Sequence, residues 1–185
     1  MPNWCSNTLE VRGEPKELKK FQKVMTLEDG TFNWTDWFPT PAGLTGTKSP
    51  ATVKDELTPQ EIEGGCLTTE QSEALIKEQG YNNWYDWCIA NWGVKWSACD
   101  ASKWDEADDA GKALYASFES PWCPPELVIE KMVEEFPKLG FALDYREEGM
   151  GFCGEIVGYG GEIVHAESRD TFADSSSILE QAMEH

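Results

Sequence analysis

The order in which helical and alternating segments follow one another constrains this chain more than any other feature. Asn7-Thr8-Leu9-Glu10-Val11-Arg12-Gly13 alternates apolar with polar residues and stops at glycine, so it reads as a strand. Pro15 then opens a helix over Glu14–Met25, with Leu18, Phe21, Val24 and Met25 at helical spacing. Lys16, Lys19, Lys20 and Lys23 fill its other face as a solvated basic surface. Further along, Trp96–Ala101 alternates, an acidic loop spans Asp105–Gly111, and Leu114–Glu119 returns as a strand. Pro124-Pro125 begins a second helix that runs to Phe136, with Ile129, Met132, Val133 and Phe136 on one face. Phe141, Leu143 and Tyr145 alternate as the next strand. Strand, helix, strand, strand, helix, strand is the βαββαβ order of the ferredoxin-like α+β fold. Phe152–Gly158 and Glu162–Ala166 add strands beyond that core, and Ser175–Met183 reads as a final helix capped by serine.

Residues 26–94 interrupt this order as an aromatic-rich, partly helical insertion after the first helix. Gly93-Val94-Lys95 runs from it straight into the next strand without a flexible linker. One domain over residues 1–185 is therefore expected, not two. The stretch Pro41–Thr52, rich in Gly, Thr, Ser and Pro, holds no long regular element. Thr69–Gln79 is predicted as a helix ending at Gly80. Asn83–Trp92 is predicted as a helix with Trp84, Trp87, Cys88 and Trp92 on one stripe, stopped by Gly93. So broad an apolar surface predicts burial.

The charge is strongly negative, formally −19, and uneven. Residues 1–25 hold five basic and three acidic residues, whereas the rest of the chain holds ten basic and 31 acidic ones. Duplex DNA carries one charge per ~1.7 Å of axis, so nineteen charges match roughly 32 Å of duplex. Such a chain is not expected to bind a phosphate backbone directly. It mimics one only if the acids gather on a face. No apolar run reaches the ~20 residues of a membrane helix, and the first residues do not read as a signal peptide.

Six cysteines, at positions 5, 66, 88, 99, 123 and 153, form no CxxC pair and read as reduced, mostly buried thiols. With only His165 and His185 available, neither a structural zinc nor another cofactor is expected. No phosphate-binding glycine loop or G-x-S-x-G motif occurs. A pairing of His165 with Cys153 on neighbouring strands is a weak nucleophile signal beside the plain reading of an edge histidine.

Several motifs carry a family likeness: Met1–Asn7, Asn83-Trp84-Tyr85-Asp86-Trp87-Cys88-Ile89-Ala90-Asn91-Trp92-Gly93 with Lys95-Trp96, Ser120-Pro121-Trp122-Cys123-Pro124-Pro125, and Glu148-Gly149-Met150-Gly151-Phe152. The chain resembles the YubB-type ferredoxin-like family of bacteriophage and conjugative-plasmid proteins. The resemblance implies a mobile-element origin and a place in the host bacterial cytoplasm. It implies no iron–sulfur cluster and carries over no catalytic residue.

The reading that follows is an accessory protein, not an enzyme, that binds and inhibits a basic, nucleic-acid-handling host protein such as a restriction or CRISPR effector. Its expected contacts are the acidic hairpin Asp105, Glu106, Asp108 and Asp109 and the helix face Glu130, Glu134 and Glu135. The alternative is an enzyme or small-ligand binder with an aromatic cleft around Trp84, Asp86 and Trp87.

Overall fold

The computed structural model describes residues 3–106 and 111–171. Along the chain, β1 (Trp4–Arg12) leads into α1 (Pro15–Val24). The long excursion that follows holds β2 (Val53–Lys54), α2 (Pro59–Glu63), β3 (Leu67–Thr68), α3 (Thr69–Gln79) and α4 (Trp84–Trp92). The chain then forms β4 (Asp105–Glu106), β5 (Ala113–Pro121), α5 (Glu126–Glu135), β6 (Gly140–Glu147), β7 (Phe152–Tyr159) and β8 (Glu162–Asp170). The expected helix at Ser175–Met183 lies outside the described residues, as do Asp108 and Asp109.

Six strands form one sheet in the order β4-β5-β1-β6-β7-β8, and every neighbouring pair is antiparallel. β5 and β6 flank β1 and both run against it, so they are parallel to each other and need a crossover. α5 supplies that crossover. The alternation in β1 sorts the two faces: Cys5, Asn7, Leu9 and Val11 are buried, while Trp4, Ser6, Thr8 and Arg12 are exposed. The first set lies under α1 and α5, and the second set faces outward.

The sequence predicts a full strand over Trp96–Ala101, and the structure does not form it. Cys99 alone bridges Glu119, through N–H···O bonds of 2.9 and 2.8 Å. Asp100 then takes a left-handed backbone, φ +44°, which ends extended pairing after one residue. Contact with β5 resumes at Ser102, whose N–H donates to the Ser117 carbonyl at 2.8 Å, and among the described residues β4 pairs with β5 through Asp105 and Glu106.

Aromatic residues tie the excursion to the sheet. Phe21 of α1 packs edge-on against Phe141, Phe136 and Trp104, with centroids 5.4, 5.1 and 5.7 Å apart. Trp104 continues to Phe32 at 5.0 Å, Phe32 to Trp34 at 6.1 Å, and Trp34 to Trp92 at 6.0 Å. Trp87, Phe38 and Trp37 close the ring back to Phe136. Each buried aromatic removes ~150–250 Å² from water, worth roughly 4–6 kcal/mol gross. That gain is what holds a long excursion with little regular structure against the core. Gly93, at φ +77°, ends α4 in the left-handed region that a side chain rarely adopts, and it turns the chain back towards β5.

Candidate functional site

The described members of the expected acidic contact set lie in two separate places. Glu130 and Glu134 are exposed on α5, and Glu126, one turn earlier, extends them to a stripe at i, i+4 and i+8. Four-residue spacing puts like charges about 6 Å apart on one helix face, at a small cost in helix stability. Glu126 is legible from that spacing alone, beside Glu130 and Glu134. Glu135 departs from the stripe. Its carboxylate holds Lys131 at 2.7 Å and accepts the Trp37 indole N–H at 3.0 Å, so it anchors the excursion to α5. Asp105 and Glu106 belong to β4, at the opposite edge of the sheet from β8. α5 packs over β6, β7 and β8. Strands lie about 4.8 Å apart, so β4 and β7 are separated by roughly 19 Å and the two acidic sets do not merge. The lysines gather on α1 instead, where Lys19 and Lys23 share a groove with Lys103.

The three residues expected around an aromatic cleft are parted by the fold. Trp87 is 7% exposed and packs between Phe38 and Trp92. Asp86 does not face a ligand space. It is locked to the helix cap, because the Asn83 side chain accepts the Asp86 N–H at 3.0 Å and donates to its Oδ2 at 2.8 Å. The cap also explains why Asn83 is buried. Only Trp84 reaches a cavity, one of about 370 Å³ that it shares with Thr40, Cys88, Trp92, Lys95 and Trp96. Behind Gly93 the chain folds back, and Lys95 Nζ sits 4.2 Å from the Trp96 ring centroid and 6.0 Å from that of Trp84. Lys95 and Trp96 lie outside the helix that the periodicity singles out, and helical spacing does not place them beside Trp84. Burial pushes the Cys88 thiol up from its ordinary value, and a contact with the Thr40 hydroxyl at 3.5 Å opposes this. A thiol held protonated is not a ready nucleophile.

The outward face of the sheet is polar. Register places Arg169 opposite Cys153 and His165 opposite Val157. Cys153 and Val157 are four residues apart on β7, about 13 Å, so His165 does not pair with Cys153. It meets Glu155 and Glu167 instead, at 3.1 and 3.8 Å. Among the described residues all six cysteines are free thiols, with Cys5 and Cys88 buried. Also among the described residues, no helix is long and apolar enough to cross a membrane.

An antiparallel sheet with its helices on one face and strands β5 and β6 flanking β1 defines a mixed α+β protein of ferredoxin-like class. Residues 101–184 match the model of a family described as the ferredoxin-like domain in Api92-like protein. The crystal structure of Api92 from Yersinia pseudotuberculosis superposes with a TM-score of 0.56 at 12% sequence identity, covering 91% of this chain and 98% of that one. At that identity the likeness is one of fold. No curated protein matches the chain.

Proposed function

We propose that this chain is a non-enzymatic, acidic binding module that occupies the basic surface of a nucleic-acid-handling host protein, such as a restriction or CRISPR effector. The observation that carries the reading is the segregation of charge on the helices. α5 presents Glu126, Glu130 and Glu134 as one exposed stripe, while Lys16, Lys19, Lys20 and Lys23 sit together on α1. A cationic groove meeting α5 finds carboxylates about 6 Å apart over about 12 Å, with Lys131 already held by Glu135. Long-range attraction by the whole charge of −19 steers the encounter. The acidic segment at Asp105 and Glu106 is a second contact, on the far edge of the sheet.

The same reading includes a YubB-type mobile-element origin and a bacterial cytoplasmic setting. It also takes β1, α1, β4, β5, α5 and β6 as a βαββαβ core, with residues 26–94 inserted between the first helix and the second strand. The strand order β4-β5-β1-β6 supports that assignment.

The test is retention of bacterial lysate proteins on the immobilised full chain and on a Glu126→Lys, Glu130→Lys, Glu134→Lys variant. The expected result is a nucleic-acid-binding protein held at low salt, displaced by duplex DNA, and lost with the triple variant. Equal retention by both chains, or retention indifferent to salt and DNA, would sink the proposal.

A second reading rests on the cavity beside Trp84 and Trp96. Its indole walls and the Lys95 ammonium suit a flat, anionic small molecule. Such a ligand quenches Trp96 fluorescence on binding, and Lys95→Ala removes the effect.

A further inference from the structure

The outward face of the sheet holds an arrangement of charge that protein binding through α5 does not use. Antiparallel register puts Asp144 directly opposite Glu155, and Glu155 directly opposite Glu167. Three carboxylates therefore lie in one line across β6, β7 and β8, on one face. Like charges directly opposite destabilise a ladder, so the line calls for a compensating cation. Arg169 supplies part of it, with Nε 3.6 Å from Glu167 Oε1. His165 stands between two of the acids: Nε2 is 3.1 Å from Glu155 Oε1 and 3.8 Å from Glu167 Oε2.

We infer that Glu155, His165 and Glu167 form a binding site for a divalent transition-metal ion of the Zn²⁺ class. One atom from each of the three lies within 4.8 Å of the others. A zinc ion bonded at about 2.1 Å to tetrahedral ligands holds them about 3.4 Å apart, between the two His165 distances. One imidazole nitrogen with two carboxylate oxygens is a borderline donor set. It is unsuited to Cu(I), which takes sulfur, and richer in nitrogen than Mg²⁺ or Ca²⁺ sites. Three protein ligands leave one coordination position open, the pattern of a reactive centre and not of a structural one. Arg169, 3.6 Å from Glu167 Oε1, makes the kind of contact that outer-shell partners of metal ligands make. Glu155 also borders a shallow cleft of about 330 Å³ lined by Ser6, Thr8, Asp144, Arg146, Cys153 and Arg169. An anion that fills the open position would meet the guanidinium groups there.

The experiment titrates Zn²⁺ into the full chain, purified without a histidine tag, by calorimetry at pH 7.5. One equivalent is expected to bind. His165→Ala abolishes the stoichiometric binding. Glu155→Gln and Glu167→Gln each weaken it more than the ~10–100-fold typical of an outer-shell partner, the class to which Arg169→Ala belongs. Circular dichroism of each variant checks that the sheet is intact, and all three ligands are exposed enough to be replaced without opening the core. Co²⁺ substitution in the unaltered chain reads the ligands independently of any variant. A four-coordinate spectrum without a thiolate charge-transfer band supports the site. A thiolate band, binding that survives His165→Ala, binding lost with His185→Ala, or no stoichiometric uptake overturns it.

Discussion

The carboxylate of Glu147 accepts the backbone N–H of Gly149 at 2.9 Å, and it also accepts that of Met150. Glu147 is 1% exposed, so this acid serves the β6–β7 turn and not the surface. Replacing it with alanine leaves the two amide donors without their acceptor. A hydrogen bond to a charged group contributes about 1.5–3 kcal/mol. Glu147→Ala is expected to lower the urea midpoint accordingly, whereas Glu148→Ala, at the exposed neighbour, leaves it unchanged.

Gly154 of β7 leaves no room for a side chain against β8. A Cβ there would lie 2.1 Å from the Glu167 carbonyl oxygen and 2.4 Å from the Tyr145 hydroxyl. The hydroxyl donates to that same carbonyl at 3.3 Å. Gly154→Ala must therefore push β8 away, at about 3 kcal/mol by the cost of overpacking. Hydrogen exchange is expected to show lost protection of β7 and β8 amides, with β1 and β5 much less affected.

Cys5 gives the chain an alkaline limit. Burial, together with the nearby Cys123, Glu119 and Glu147, pushes its thiol up to about 12 from an ordinary 9.0, with a Ser120 hydrogen bond opposing. Above pH 9 the unfolded chain loses this proton while the folded chain keeps it. The folded state then binds more protons, so stability falls as pH rises from 9 towards 12, by up to ~1.4 kcal/mol per unit. Below pH 9 the group contributes no slope. Unfolding free energies measured at several pH values across that window, for the parent and for Cys5→Ala, should show a shallower fall in the variant. Equal slopes would falsify the assignment.

Trp84 and Trp87 lie on the same helical stripe but differ in what surrounds them. Trp87 is enclosed by Phe38 and Trp92, so Trp87→Ala opens a cavity and is expected to cost about 3–5 kcal/mol. Trp84 borders open space and contacts Tyr85 and Lys95, so Trp84→Ala should cost well under half as much. Thermal unfolding of the two variants separates them.

Much of the element pattern could be read in advance because local chemistry carries it. Thr68 and Gly80 cap α3 at the two ends that the sequence suggests, with Gly80 at φ +79°. Pro15 and Pro124-Pro125 precede the two core helices, and the alternation Phe141, Leu143, Tyr145 predicts which face of β6 is buried. That alternation also points to Glu147, but an acid at the end of a strand reads as a solvated turn residue. Its burial depends on amide donors that only the completed turn presents. The strand expected at Trp96–Ala101 failed for a related reason. Alternation describes which residues suit a strand, but Asp100 adopts a left-handed backbone that periodicity does not register.

Composition and spacing alone settled the strong negative charge, the helical periods, the caps and the need to bury many aromatic rings, since each depends on residues near one another in the chain. Tertiary structure alone decided that Glu135 anchors Trp37 and that Lys95 reaches the ring of Trp84. It also decided that Glu155, His165 and Glu167 converge. These groups meet through strand register and through a chain that doubles back, and register is fixed by packing across the whole sheet, which no short window of sequence contains.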